Sequence, residues 1–235
     1  MSAPNRHIVA MGGGGFSMEP DNPLLDDFVL ALTGRARPRV CFLPTATSNV
    51  ATYLSTFYPA FARRAEPDHL DLFGRDGRDV RAFLLAQDVV YVGGGNTANM
   101  LAIWRLHGLD AILRECWRGG AVLAGLSAGA ICWFGHGVAD SFGPDLAPFD
   151  DGLGLLAGSF CPHYDGEAIR RPRFHELIRN GLPAGWAADD GAALHFSGTD
   201  LAEAVSSRPT ARAYRVELRD GDVAETPLPT RYLGG

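Results

Sequence analysis

The stretch AVLAGLSAGAICWF, from Ala121 to Phe134, decides the fold. Its apolar run is broken by the five residues GLSAG and then resumes, so that Ser127 stands between small residues. An apolar run before the break and a helical pattern after it predict a strand that turns sharply into a helix. The five residues fit G-x-S-x-G, which presents a nucleophilic serine at such a turn, although small residues also fill many strand-to-helix turns for packing alone.

Short β-rich runs alternate with helical patterns before this turn. The runs are HIVAM at 7–11, RVCFLP at 39–44, DHLDLF at 68–73, DVVYV at 88–92 and AVLAGL at 121–126, and the helical patterns cover 24–33, 50–64, 80–87, 96–107 and 109–118. The alternation predicts an α/β fold with a mainly parallel sheet and helices on both faces. The turns at Gly12, Gly93 and Ser127 then lie along one edge, where ligands bind in such sheets.

The pattern is looser after Ser127. Residues 135–154 are rich in Gly, Pro and Asp and predict a long loop, and GSFCPHY predicts a strand with His163 at its end. A helix is expected over 168–180. From Trp186 onward, the runs GAALHF, EAVSS and RAYRVEL, with Asp220-Gly221 as a hairpin turn, predict a C-terminal antiparallel extension. We find no repeat or linker and expect residues 1–235 to form a single domain.

Composition excludes several classes of protein. The 235 residues are 46% hydrophobic and 20% charged, with a net charge of −6 that argues against non-specific nucleic-acid binding. The sequence contains no run of eighteen apolar residues, so it predicts no membrane span. The N-terminus lacks the pattern of a secretory signal, and this favours a cytoplasmic protein. The four cysteines include no C-x-x-C, so we expect buried, reduced thiols and neither disulfides nor a metal site. Nothing calls for a cofactor.

A serine nucleophile needs a base and an orienting acid. Of the seven histidines, His163 follows a predicted strand at the expected catalytic edge, whereas His195 alternates within a strand, so His163 is favoured as the base. Two chain orders stay open, Ser127-His163-Asp190 and the α/β-hydrolase order Ser127-Asp190-His195. The candidates for the acid are Asp140, Asp165, Asp189 and Asp190.

A second glycine loop, GGGNT at 93–97, lies between a predicted strand and a helix. Glycines let backbone N–H groups approach a developing oxyanion, and Gly95 with Ala128 would supply two donors. Asn96 or Thr97 also fits a helix cap, which is compatible with that role. The glycines at 12–15 do not form a dinucleotide loop because Ser17 replaces the third glycine of the motif.

These motifs together resemble the peptidase E family of aspartyl dipeptidases and its cyanophycinase relatives. VGGGNT, GLSAGA, CPHYDGE and DDGAA occur in the same order as in that family, and the likeness runs from His7 to Phe196. The resemblance implies a fold like class I glutamine amidotransferases, with serine in place of the usual cysteine nucleophile. It also implies the roles of site residues: Ser127 as nucleophile, His163 as base, Asp190 as acid, Gly95 and Ala128 as oxyanion donors, and Asn96 and Arg170 as substrate-binding residues.

The resemblance implies a serine peptidase for short peptides, including Asp-X dipeptides, and a homodimer is compatible with it. Arg170 falls where the dipeptidases have an arginine that meets the substrate carboxylate, although a solvated helix face explains clustered arginines equally well. Peptidase E typically has Glu where this chain has Asp190, so the backbone must supply the missing reach. The alternatives are an esterase-like serine hydrolase and a catalytically silent binding protein of the same fold.

Overall fold

The computed structural model describes residues 6–74 and 77–235. In these ranges the strands are β1 (His7–Met11), β2 (Arg39–Leu43), β3 (Glu66–His69), β4 (Val89–Val92), β5 (Val122–Leu126), β6 (Phe134–Ala139), β7 (Ala147–Phe149), β8 (Leu156–Cys161), β9 (Gly185–Ala188), β10 (Ala192–Ser197), β11 (Asp200–Ser206), β12 (Ala213–Arg219), β13 (Asp222–Pro227) and β14 (Thr230–Tyr232). The helices are α1 (Leu24–Ala31), α2 (Val50–Phe61), α3 (Val80–Leu85), α4 (Thr97–Leu106), α5 (Leu109–Arg118), α6 (Ala128–Ile131) and α7 (Arg170–Arg179). A 3₁₀ turn covers Gly15–Ser17.

An eight-stranded sheet carries the first half of the chain, in the order β14-β11-β10-β1-β5-β4-β2-β3. Strands β1 to β5 are parallel to their neighbours among themselves. Strand β10 runs antiparallel beside β1, and β11 antiparallel beside β10. The α/β class, the mainly parallel sheet and the C-terminal antiparallel extension are therefore confirmed.

Alternate residues of the central strands enter two different cores. Ile8 and Ala10 of β1 pack in the core that also contains side chains of α3, α4, α5 and α6. Val9 and Met11 face the other way and pack with side chains of α1 and α2. Because side chains on a strand alternate in direction, helices cover both faces of the sheet and its strands are apolar throughout.

The long loop predicted over 135–154 is wrong, because this segment contains β6 and β7. They belong to a second sheet of six strands, in the order β13-β12-β9-β8-β6-β7, which the sequence did not indicate. The sequence of β6, FGHGVA, has two glycines and so lacks a local strand signal. Pairing with β8 and close packing define the strand instead, since a Cβ at Gly137 would lie 2.6 Å from Cγ2 of Ile131.

Element ends also differ from the prediction. The third strand is Glu66–His69 rather than 68–73, because its pairing with β2 sets its register. Helices α1, α2 and α3 end two or three residues early, and their last turns close with bonds of the 3₁₀ type, such as Thr33 N–H to Leu30 O and Gln87 N–H to Leu84 O.

The four cysteines are all buried and free. Burial raises the pKa of each thiol, to about 11 for Cys116 and about 12 for Cys161. These thiols stay protonated at neutral pH and are poor nucleophiles.

Among the described residues, no helix is both long and apolar enough to cross a membrane.

One buried carboxyl makes the core sensitive to pH. Asp26 on α1 is 1% exposed, and its Oδ1 accepts a hydrogen bond from Tyr91 Oη at 3.1 Å. Burial raises the pKa of Asp26 to about 7, well above its ordinary value. The folded protein therefore binds a proton here more tightly than the unfolded chain does.

This difference predicts that the free energy of unfolding falls as the pH rises from about 4 to about 7, by on the order of 4 kcal/mol from this group. Asp26→Asn should remove this contribution to the dependence of the free energy of unfolding on pH. Urea unfolding followed by circular dichroism across this range measures it. Asp27→Asn is the matched control, because the neighbouring side chain is half exposed and pairs with Arg64. Equal slopes in wild type and Asp26→Asn would contradict the assignment.

Candidate active site

Three strand ends meet at one edge of the larger sheet. Strand β5 lies between β1 and β4, so the turns after Met11, Val92 and Leu126 are neighbours. Ser127 N–H donates to Met11 O at 3.3 Å across this edge. A cavity of about 410 Å³ opens here, lined by Ser17, Met18, Thr47, Thr52, Tyr53, Thr56, Gly94, Gly95, Leu126, Ser127 and His163. The predicted catalytic edge is thus a real cleft.

Ser127 occupies a strained turn between β5 and α6. Its φ of 53° and ψ of −117° are rare for a residue with a side chain, and it is partly accessible between buried neighbours. The flanking glycines permit the turn: a Cβ at Gly125 would lie 2.2 Å from Gly129 O, and one at Gly129 would lie 2.3 Å from Val92 O. The motif's small residues are therefore required by backbone contact.

His163 and Asp190 form a hydrogen-bonded pair. Nδ1 of His163 lies 2.6 Å from Oδ1 of Asp190, and each side chain is only 15% exposed. The hydrogen bond with His163 holds the pKa of Asp190 below its ordinary value, so the carboxylate is ionised at neutral pH. His163 itself has φ 52°, a second strained residue at this edge.

The backbone supplies the reach that the short Asp190 side chain lacks. His163 N–H donates to Gly12 O at 3.2 Å, and Gly191 N–H donates to Gly13 O at 3.0 Å. Asp190 forms a bridge with Gly13, and its N–H donates to Asp165 Oδ1 at 2.8 Å. Both partners are therefore fastened to the turn that follows β1.

Ser127 and His163 line the same cavity, yet within the described ranges no hydrogen bond joins Ser127 Oγ to the imidazole. Bonds between nucleophile and base are often long until substrate closes the site. The geometry brings His163 and Asp190 together and places Ser127 beside them.

The competing histidine and two of the competing acids, Asp140 and Asp189, have other surroundings, whereas Asp165 accepts the backbone N–H of Asp190. His195 pairs with Val9 in the sheet, and its Nε2 lies 3.0 Å from Nδ1 of His7, at the start of β1 and toward the opposite edge. Burial lowers the pKa of His195. Asp189 accepts from Arg212 N–H at 2.8 Å, burial raises its pKa to about 6, and Asp140 is exposed after β6. The arrangement favours the order Ser127-His163-Asp190.

Gly95 lines the cleft, and Ala128 directly follows Ser127. Gly95 is exposed with φ 138°, and a Cβ there would lie 2.2 Å from Ala46 O, so that only glycine fits. Ala128 begins α6, where N–H groups point outward. Neither amide donates a hydrogen bond to another residue that the structure describes.

Asn96 has structural partners. Its Oδ1 caps α4 by accepting from Asn99 N–H at 2.9 Å, and its Nδ2 donates to Ser141 O at 2.9 Å. The side chain thus ties the loop after β6 to the glycine turn. A substrate-binding role for Asn96 would have to coexist with both bonds.

Arg170 is buried, at 5% exposure, so a solvated helix face does not describe it. Its Nε donates to Oε2 of Glu167 at 2.7 Å, and its Nη2 to Oε1 at 3.2 Å. Nη1 is buried and has no hydrogen-bond partner among the described residues. Arg170 is not among the residues that line the cleft at Ser127.

Sequence reasoning missed two contributors. Gly13 lies in a glycine run that the sequence places at the ligand-binding edge without a role for this residue, and Tyr53 lies in a helix with several aromatic residues. Gly13 lies under the His163–Asp190 pair, and the Tyr53 hydroxyl accepts from Gly94 N–H at 3.1 Å within the cleft. Neither has a local signal, because both contacts join distant segments.

In the described part of the chain, no cluster of side chains could hold a metal ion.

Comparison with known sequences gives consistent matches. The model of peptidase family S51 matches residues 8–204. The uncharacterized peptidase YgaJ of Bacillus subtilis (strain 168) is 55% identical over 231 residues, which are 97% of this chain and 100% of that protein.

Two crystal structures show a similar fold. A peptidase from an acI-B1 Actinobacterium aligns with a TM-score of 0.69 at 18% identity, covering 97% of this chain and 96% of the other. A putative peptidase E protein from Listeria monocytogenes EGD-e aligns with a TM-score of 0.63 at 18% identity, covering 84% and 96% respectively. At this identity, the likeness establishes the fold alone.

Proposed function

The chain belongs to peptidase family S51 and is a serine-type peptidase, and from that premise we propose that it hydrolyses short peptides with Ser127, His163 and Asp190. The family confirms the resemblance to peptidase E. The observation that carries the proposal is the 2.6 Å pair of His163 and Asp190 at the cleft that also exposes the strained Ser127.

The pair sets the proton positions that a serine nucleophile requires. With Asp190 ionised, Nδ1 of His163 donates to the carboxylate, which leaves the lone pair on Nε2 free to accept the proton of Ser127 Oγ. Oγ then bonds to the peptide carbonyl carbon, and its oxygen becomes an oxyanion. Gly95 N–H and Ala128 N–H donate to this oxyanion.

The second half of the reaction releases both products and returns the enzyme to its starting state. The C–N bond breaks as His163 gives its proton to the leaving amine, and an ester on Ser127 remains. Water gives a proton to His163 and attacks this ester, and the proton passes back to Oγ as the acid product leaves. Water is the second substrate of this sequence of steps.

The serine is tested by a fluorophosphonate that labels activated serine hydroxyls. Wild-type protein should be labelled at Ser127, identified by peptide mass mapping, because the adjacent base removes the hydroxyl proton. Ser127→Ala should not be labelled, and Ser17→Ala, in the same cleft, should label normally. Labelling of the Ser127→Ala protein to the wild-type extent would exclude Ser127. A burst with an activated ester separates an acylating hydrolase from a silent binding protein.

The base and acid are tested by turnover of a dipeptide library. His163→Ala and Asp190→Asn should each lower kcat by about a thousandfold or more, since one removes the proton acceptor and the other its orienting charge. His195→Ala and Asp140→Asn are the matched controls and should keep most activity. An inactive His195→Ala with an active His163→Ala would instead support the α/β-hydrolase order.

Asp-X selectivity is what the resemblance to peptidase E implies, and it would depend on Arg170. A carboxylate side chain of the substrate needs a cation in a partly enclosed cleft. Arg170 is paired with Glu167 and does not line the cleft, and the side chains that line it, apart from His163, are hydroxyl-bearing or apolar. This arrangement favours short peptides with an uncharged N-terminal residue.

We therefore expect kcat/KM for Ala-Leu to equal or exceed that for Asp-Leu, measured by amine release. Arg170→Met should leave the ratio of the two values unchanged. A preference of about tenfold or more for Asp-Leu that Arg170→Met abolishes through KM would assign the arginine to the substrate carboxylate.

A further inference from the structure

Tyr53 places a hydroxyl group in the catalytic cleft. It lies in the first turns of α2, beside the glycine loop that follows β4. Its ring stacks on Phe42 with centroids 5.3 Å apart and planes 25° apart, and it also contacts the Phe16 ring edge-on. These contacts fix the direction of the phenol, so the hydroxyl is held in place before substrate arrives.

The hydrogen bonding of this hydroxyl leaves its proton available. Gly94 N–H donates to Tyr53 Oη at 3.1 Å, which uses one lone pair of the oxygen. A phenol has one proton to donate as well. Among the residues that the structure describes, Tyr53 Oη donates to no acceptor. The proton is therefore free for a ligand in the cleft.

The hydroxyl lies close to the nucleophile and to a candidate oxyanion donor. A Cβ placed on Gly94 would be 3.4 Å from Tyr53 Oη and 3.3 Å from Cβ of Ser127. Gly95, which lines the cleft, is the next residue. The phenol, the serine and the Gly95 amide thus border one small volume, where the oxygen of a tetrahedral intermediate would sit.

We propose that Tyr53 is a third oxyanion donor, whose O–H binds the developing negative charge together with the amides of Gly95 and Ala128. The inference rests on the proposed function of Ser127. The Gly94 amide polarises the phenol by donating to its oxygen, which strengthens the bond that the phenol itself donates. A preorganised neutral donor of this kind acts mainly on the transition state.

Tyr53→Phe tests the role, because it keeps the ring stack and removes only the hydroxyl. We expect kcat for a neutral dipeptide such as Ala-Leu to fall by about 100-fold with KM nearly unchanged. A peptide aldehyde forms a tetrahedral adduct with an oxyanion, so its affinity should weaken by a similar factor. A structural role alone would not weaken the aldehyde in parallel with kcat.

Tyr58→Phe is the matched control on the same helix. Its hydroxyl lies 2.7 Å from Nδ1 of His69, and Tyr58 does not line the cleft, so activity should stay at the wild-type level. Thermal melting of both variants checks that they fold. A folded Tyr53→Phe with unchanged kcat and unchanged aldehyde affinity would overturn the proposal.

The two proposals fail in different ways. If Ser127 were not the nucleophile, Ser127→Ala would still react with the fluorophosphonate. If only the Tyr53 role were wrong, Ser127 labelling and wild-type turnover would remain, and Tyr53→Phe would match Tyr58→Phe in kcat.

Discussion

The contact of the His163–Asp190 pair with the bare backbone of Gly13 is the constraint on which the site depends. A Cβ at Gly13 would lie 2.1 Å from Asp190 Oδ1 and 2.9 Å from His163 Nδ1, so no side chain fits beneath the pair. On the other side, a Cβ at Gly166 would lie 2.4 Å from Asp190 Oδ2. The carboxylate is held between two glycines, which lets a short aspartate reach the imidazole.

This constraint joins the two sheets at the catalytic edge. The serine comes from the end of β5 in the larger sheet, whereas His163 follows β8 in the smaller one. Asp190 lies between β9 of the smaller sheet and β10 of the larger. The second sheet therefore carries His163, and the antiparallel extension fixes Asp190 beside the turn that follows the first strand of the fold.

Backbone strain is concentrated at the same place. Ser127, His163 and Asp220 are the residues other than glycine with positive φ among those described, and Asp220 belongs to a hairpin turn. The other two border the cleft. Such conformations cost about 1–3 kcal/mol each and persist where surrounding contacts impose them. Here the contacts are the glycine turns after β1, β4 and β5, and the turn after β4 also donates the Gly94 N–H to the Tyr53 hydroxyl in the cleft.

The sequence by itself determined the α/β class, the parallel strands of the first half, the sharp turn at Ser127 and the position of His163 at the end of a strand, because hydrophobic periodicity and glycine turns are local signals. The FGHGVA strand and the smaller sheet were decided only by tertiary structure, since pairing with β8 overrides a weak local pattern. The pairing of His163 with Asp190, the burial of Arg170 against Glu167 and the position of Tyr53 were likewise decided in three dimensions. Each of these features depends on the distance between segments that are far apart in the chain or on the orientation of a side chain. A local pattern of residues encodes neither the distance nor the orientation.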